Sequence, residues 1–361
     1  MESAPTSSLL PLTADSFLEP HSLPSAASPR PIRVVAIGGG TGLSTLLRGL
    51  RRHVVLPGAA CAEPCQIADL AAVVTVTDDG GSSGRLRKDF NMLPPGDLRN
   101  CMVALSEEED VLTQLFAHRF RSGDALEGHN FGNLFVAALT EITGDFAHAI
   151  QLASKILATR GRIYPVTIAN ATLVAHMKDG SVVRGETNIT ASRQSIAELV
   201  LDPPDAAAVP ETLEAIERAD LITVGPGSLY TSLITNLLVR GIPAALSRAH
   251  GIRVFVCNLM TQANESLGLT AAEHIERIYE HTRAPIFDYA IVNTAPFSEQ
   301  TLARYALENA SPIEADVERI EALGVRCITG DFALEENVVR HASNRVTGAL
   351  LSIARSGSRR A

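Results

Sequence analysis

Two short glycine loops constrain this chain more than any other feature. Residues 32–37 form an apolar run that ends in Gly38-Gly39-Gly40-Thr41-Gly42. Leu43, Leu46, Leu47 and Leu50 then recur at i, i+3, i+4 and i+7, one face of a helix. Residues 221–224 form a second run, ending in Gly225-Pro226-Gly227-Ser228-Leu229-Tyr230-Thr231-Ser232 and opening a helix over 228–239. A strand, a glycine loop and a helix in that order predict a parallel sheet covered on both faces. Glycines let backbone N–H groups approach a phosphate, and the helix start adds partial positive charge. A tight turn explains one such loop; two on separate strands favour a diphosphate or a nucleotide-linked ligand. Pro226 fixes its own φ there, and Ser228 is placed to cap the helix or donate to an oxyanion.

Neither loop is a standard cofactor fingerprint. With Gly38 and Gly40 in the first two places, the third dinucleotide glycine would fall at Leu43. No Gly-Lys-Ser/Thr follows either loop. A pyridine-nucleotide oxidoreductase is therefore the weakest class considered.

Composition narrows the ligand. The 361 residues carry 31 Lys+Arg against 40 Asp+Glu, a net charge of −9. That balance lacks the basic footprint of a nucleic-acid binder. Trp is absent and aromatics are 4%, which argues against base-stacking platforms. Lys88, Lys155 and Lys178 are the only three lysines, so an anion must be held by arginines and backbone N–H groups. No apolar run is long enough to span a bilayer. The five cysteines, Cys61, Cys65, Cys101, Cys257 and Cys327, are too scattered for a disulfide framework and read as reduced cytoplasmic thiols.

The chain divides by pattern. Residues 1–30, with seven Ser and five Pro, read as a disordered extension, neither signal nor transit peptide. Residues 31–96 and 160–355 read as the α/β core. Residues 97–159 hold no convincing strand and read as a helical insertion. Residues 356–361 are a short basic tail. Within this frame Lys178-Asp179-Gly180 predicts a hairpin turn. Ser106 to Glu109 and Thr270 to Glu273 each have the spacing of a capping box.

Further polar loops follow strands or precede helices. Asp78-Asp79-Gly80-Gly81-Ser82-Ser83-Gly84-Arg85 offers adjacent carboxylates for Mg²⁺ or for a general base; an Asx turn explains the segment nearly as well. Arg85 and Arg87 are placed to pair with phosphate, or are solvated like Lys88. Asp97, after Pro94-Pro95-Gly96, is expected to cap the next helix. His129, in Gly128-His129-Asn130-Phe131-Gly132-Asn133, reads as a structural hydrogen-bonder before an acid–base group. Asn258 and Gln262 suit recognition of a base or sugar, and Arg340 adds a cation.

Together and in this order, these segments resemble the gluconeogenesis factor family (YvcK-like), related to the CofD-like phospholactyl transferases. The carriers are the loops at 37–44, 78–87, 93–100, 128–134, 225–232 and 257–262, and the resemblance spans about residues 32–353. It implies a Rossmann-like three-layer core with a mainly helical inserted subdomain. It implies a cytoplasmic protein that binds UDP-sugars such as UDP-N-acetylglucosamine, tied to growth on gluconeogenic carbon, to cell shape and to wall-synthesis partners. The transferase branch is the alternative: it moves 2-phospholactate from a guanosine diphosphate carrier to a deazaflavin alcohol with Mg²⁺, and Asp79 matches its acceptor-contacting aspartate. The Asp-Asp-Gly-Gly-Ser-Ser-Gly form resembles the first branch, so a regulatory binding protein is favoured over an enzyme. The implied ligand set is Gly38 to Gly42, Asp78, Asp79, Gly81, Ser82, Ser83, Asn133, Gly225 to Ser228, Tyr230, Asn258, Gln262 and Arg340. Whether the chain assembles with its own copies stays open. The chain departs from the family with Thr235 before Asn236-Leu237-Leu238, Ala342 after Arg340-His341, and Ser343 where relatives carry a phosphorylatable Thr.

Overall fold

The computed structural model describes residues 30–55, 67–107, 111–192, 194–262 and 265–356. Cys61, Cys65 and Glu109 lie outside them, as do residues 1–29 and 357–361.

In chain order the strands are β1 (Ile32–Gly38), β2 (Ile67–Val74), β3 (Arg162–Pro165), β4 (Thr172–Met177), β5 (Val182–Arg184), β6 (Ile196–Asp202), β7 (Leu221–Val224), β8 (Ile252–Val256), β9 (Tyr289–Asn293), β10 (Arg326–Gly330), β11 (Ala333–Leu334) and β12 (Arg340–His341). Seven of them form one sheet in the order β10-β9-β8-β7-β1-β2-β3. Its neighbouring strands all run parallel. This is the parallel α/β sheet that the strand–loop–helix pattern predicts, and the Rossmann-like core that the family resemblance implies. The apolar runs are continuous because both faces are covered: β7 and β8 are buried along their whole length. The order turns back between β1 and β7, so the carboxyl ends of those two strands flank a crevice.

A smaller antiparallel sheet has the order β5-β4-β6. Its hairpin turns at Asp179, whose Oδ1 accepts from the Ser181 N–H, with Gly180 at φ +86°.

Between β2 and β3 lie α2 (Gly81–Phe90), α3 (Gly96–Leu105), α4 (Val111–Ala117), α5 (Phe131–Thr143) and α6 (Phe146–Ile156), following α1 (Gly40–Leu50) on the first glycine loop. Helix α3 packs along α1 and reaches β3. Phe116 joins α4 to α5 through ring contacts of 4.9 Å to Phe135 and 6.0 Å to Phe131.

Two local expectations are corrected. Asp97 does not cap α3: the cap position is Pro95, and Asp97 sits in the first turn. The capping box expected from Ser106 to Glu109 lies partly outside the described residues; within them the Ser106 hydroxyl donates to the Leu157 carbonyl. The helix expected over 228–239 is a π-helical turn, Leu229–Ile234, followed by a short α-helix, Thr235–Leu238. The wider turn lets Thr235 donate to the Tyr230 carbonyl and Asn236 to the Gly38 carbonyl, tying this element to the end of β1. The Thr270 to Glu273 capping box forms as its spacing predicts, on the helix Ala271–Thr282.

Candidate functional site

The two glycine loops meet at the crevice. Gly39 is extended and Gly40 takes φ +61° as α1 begins. A Cβ on Gly42 would stand 2.4 Å from the Pro226 carbonyl oxygen, so glycine there is what lets the loops touch. Gly225, at φ +90°, would bring a Cβ to 2.6 Å from the Val256 carbonyl oxygen. Asn258 clamps the second loop: its Oδ1 accepts from the Gly227 N–H at 3.1 Å and its Nδ2 donates to the Gly227 carbonyl at 2.7 Å. Gln262 donates to the Ser228 hydroxyl at 3.1 Å, while its Oε1 is buried without a partner. Asn258 is thus committed to backbone, whereas one Gln262 amide atom has no partner among the described residues.

The crevice holds a cavity of about 490 Å³. Gly39 to Gly42, Pro226 to Ser228, Asn258, Gln262 and Arg340 all line it. Gly38 and Gly225 lie buried just behind, at the strand ends. Tyr230 faces away: it is buried, with its ring 6.0 Å from His281.

Internal carboxylates already occupy parts of both helix starts. Asp97 lies against the first loop, where a Cβ on Gly39 would stand 2.7 Å from its Oδ2, and burial pushes its carboxyl up to about 6. Glu265 accepts the Thr231 hydroxyl at 3.0 Å and lies 3.4 Å from the Tyr230 nitrogen; burial raises its carboxyl too. Thr41 and Gly42, next in the first turn of α1, have N–H groups that no carbonyl within the helix can accept.

The other wall carried no mark in the sequence. Arg304, Tyr305 and Glu308 line the cavity from the helix Glu299–Ala306 and the turn after it. The Arg304 guanidinium stands 5.7 Å from the Tyr305 ring centre and donates to the Glu336 carbonyl. The Tyr305 hydroxyl accepts from the Val339 N–H, holding the strap that carries Arg340. His341 donates its Nε2–H to the Cys257 carbonyl, and burial lowers its ring to about 4. The neutral ring therefore anchors the strap beside Asn258. A helix of ordinary amphipathic spacing offers no signal for this wall.

Asp78, Asp79, Gly81, Ser82, Ser83 and Asn133 do not line that cavity. They gather one strand over, behind Asp97. Asp78 forms the Asx turn, its Oδ1 accepting from the Gly80 N–H. Asp79 accepts the Thr187 N–H and hydroxyl, at the start of α7 (Glu186–Ala191). Gly81 starts α2 at φ +49°. Ser82 bonds His129 Nδ1 at 3.1 Å, both side chains buried. Asn133 reaches Ser83 only at 3.5 Å, and its Oδ1 is buried without a partner. Arg85 donates to the Glu127 carbonyl, and Arg87 to Asn170, Ala171 and Thr172, so both are committed to the chain.

Glu186 joins this cluster without any sequence signal. Burial, then the charges of Asp78, Asp97, Glu265 and Asp79, push its carboxyl up to about 9, and its Oε2 has no partner. For Mg²⁺ the fit is partial. Among the described residues no three His, Cys, Asp or Glu side chains gather as a metal cage. Asp78 retains its Oδ2, which suits an ion carried mainly by phosphate and water.

The fold and site define a class: a Rossmann-like protein with a glycine-lined crevice at its strand-order reversal. Residues 34–333 match the family model described as 2-phospho-L-lactate transferase CofD. A gluconeogenesis factor of Halalkalibacterium halodurans is 46% identical over 319 residues, covering 88% of this chain and 95% of that protein. The gluconeogenesis factor of Bacillus subtilis is 42% identical over 322 residues, covering 89% of this chain and 98% of that one. A crystal structure of a Bacillus halodurans protein superposes with a TM-score of 0.84 at 44% identity, covering 89% of this chain and all of that one. The chain belongs to the gluconeogenesis factor family, within the wider CofD family.

Proposed function

We propose that this chain is a cytoplasmic nucleotide-sugar-binding regulatory protein, with UDP-N-acetylglucosamine as the model ligand. The observation that carries the reading is the meeting of two glycine loops, backbone to backbone, at the floor of one cavity with Arg340 on its rim. The diphosphate would lie across Thr41, Gly42 and Ser228, with Arg340 completing the anion site. Tyr305 offers a flat face to the base, and the Gln262 Oε1 an acceptor. Binding would bias the strap at 337–341 toward one state, which partners in cell-wall synthesis would read. The names of the gluconeogenesis factor relatives support a role in growth on gluconeogenic carbon; a role in cell shape is part of the proposal.

Calorimetric titration of UDP-N-acetylglucosamine into wild type, Gly227→Glu and Arg340→Ala tests this. Binding should be lost in the first variant and at least tenfold weaker in the second. Equal binding by all three proteins would refute the site assignment.

The acidic cluster behind Asp97 favours one alternative, the phospholactyl transferase. There Asp79 would orient the acceptor hydroxyl, and Asp78 would help hold Mg²⁺, which neutralises phosphoryl charge. Incubation with the guanosine diphospholactate donor, the deazaflavin acceptor and Mg²⁺ decides between the two: phospholactylated product establishes the transferase, and its absence leaves the regulatory reading.

A further inference from the structure

A second cavity, of about 430 Å³, opens between α6 and the edge strand β3. It lies at the start of β3, and because the sheet is parallel this is the end away from the glycine loops. Ala158, Ile163 and the ring of Tyr164 give it an apolar lining. Lys155 stands on its rim, exposed, and has no carboxylate partner among the described residues. Ser154 also lines the cavity, and its buried hydroxyl has no partner among the described residues. A helical Ser or Thr ordinarily donates back to a carbonyl one turn earlier, as Thr140 and Thr143 do on α5. Ser154 does not.

The walls of this cavity are tied to α3. The Arg160 N–H donates to the Leu105 carbonyl at 2.8 Å, and the Ser106 hydroxyl donates to the Leu157 carbonyl at 3.0 Å. Ser106 also bridges to Thr159. These anchors hold the C-terminal end of α3, whose ten residues span about 15 Å. Its first turn carries Asp97, which lies against the first glycine loop: a Cβ on Gly39 would stand 2.7 Å from its Oδ2. One stiff helix thus connects the loop at 157–161 to the first glycine loop.

We propose that the α6–β3 cavity is a second ligand site, for a small organic anion with a flat apolar body, and that α3 links it to the glycine loop. The apolar lining takes the body. Lys155 and the Ser154 hydroxyl take the anionic group. The proposal does not depend on the nucleotide-sugar reading.

Phenyl phosphate is the probe, with inorganic phosphate as the control. Binding is followed by calorimetry on the full chain and placed by hydrogen exchange. The expected result is saturable binding of phenyl phosphate, at least tenfold weaker for Lys155→Gln and for inorganic phosphate. Exchange should slow at 151–164 and also at 96–105. The ligand site is overturned by no saturable binding, by unchanged affinity in Lys155→Gln, by equal affinity for inorganic phosphate, or by slowing only at 39–42 and 226–228. Slowing confined to 151–164 overturns the link through α3.

Discussion

At the residue scale, steric fit decides which glycines matter. Gly42 and Gly348 make the comparison. A Cβ at Gly42 would sit 2.4 Å from Pro226 oxygen, while one at Gly348, in the exposed middle of the helix Ser343–Ser356, would meet nothing within 4 Å. Gly42→Ala should cost about 1–3 kcal/mol through overpacking. Gly348→Ala should stabilise by up to about 1 kcal/mol through helix propensity. Urea denaturation of both variants checks the contrast; equal effects would remove the loop-contact argument. Glu186 makes the electrostatic case. Its carboxyl is held at about 9, against an ordinary 4.5. The native state therefore binds a proton that the unfolded chain releases above pH 4.5, so Glu186 costs more stability as pH rises toward 9. Glu186→Gln should have no effect near pH 4 and stabilise by up to about 3 kcal/mol at pH 7. A gain that is flat with pH would contradict a carboxyl raised by burial and neighbouring charge.

At the element scale, the sequence was legible where chemistry is local. The Thr270 to Glu273 box, the Asp179 turn and the first strand–glycine–helix unit form as their spacing predicts. It was not legible where distant chain decides. Asp97 looks like a cap from its neighbours, yet its carboxylate lies against the first glycine loop, on another element. The π-helical turn after Ser228 depends on Asn236 reaching the end of β1. The cavity wall from Arg304 to Glu308 carries ordinary helix residues, and only the sheet order brings it opposite the glycine loops. Asp288 is a further long-range case. It is fully buried and takes the Arg253 guanidinium and N–H at 2.8–2.9 Å, joining β8 to the start of β9. Asp288→Ala leaves a buried guanidinium unpaired and should cost about 3–5 kcal/mol, read as a lower urea midpoint.

At the scale of the whole molecule, a net charge of −9 and three lysines argue against a polyanion such as nucleic acid. The fold separates two questions that composition merges. A polyanion needs a basic surface, which this chain lacks. A small diphosphate needs only a few aligned N–H groups and a placed arginine, which the strand-order reversal assembles. Even these are restrained, because the Asp97 and Glu265 carboxylates lie at both helix starts. On the proposed reading the ligand fits beside those carboxylates, using Thr41, Gly42, Ser228 and Arg340. Such a ligand binds the folded chain alone, since its donors come from segments nearly two hundred residues apart. UDP-N-acetylglucosamine at a hundred times its Kd should then stabilise the fold by about 2.7 kcal/mol. For a chain of this size that is a rise in Tm of about 5 °C. Thermal denaturation with increasing ligand checks it. Arg340→Ala should need at least tenfold more ligand for the same rise, while Gly348→Ala should follow the wild-type curve. A Tm that rises equally in Arg340→Ala would place the ligand elsewhere, and one that does not move in wild type would reject the nucleotide-sugar.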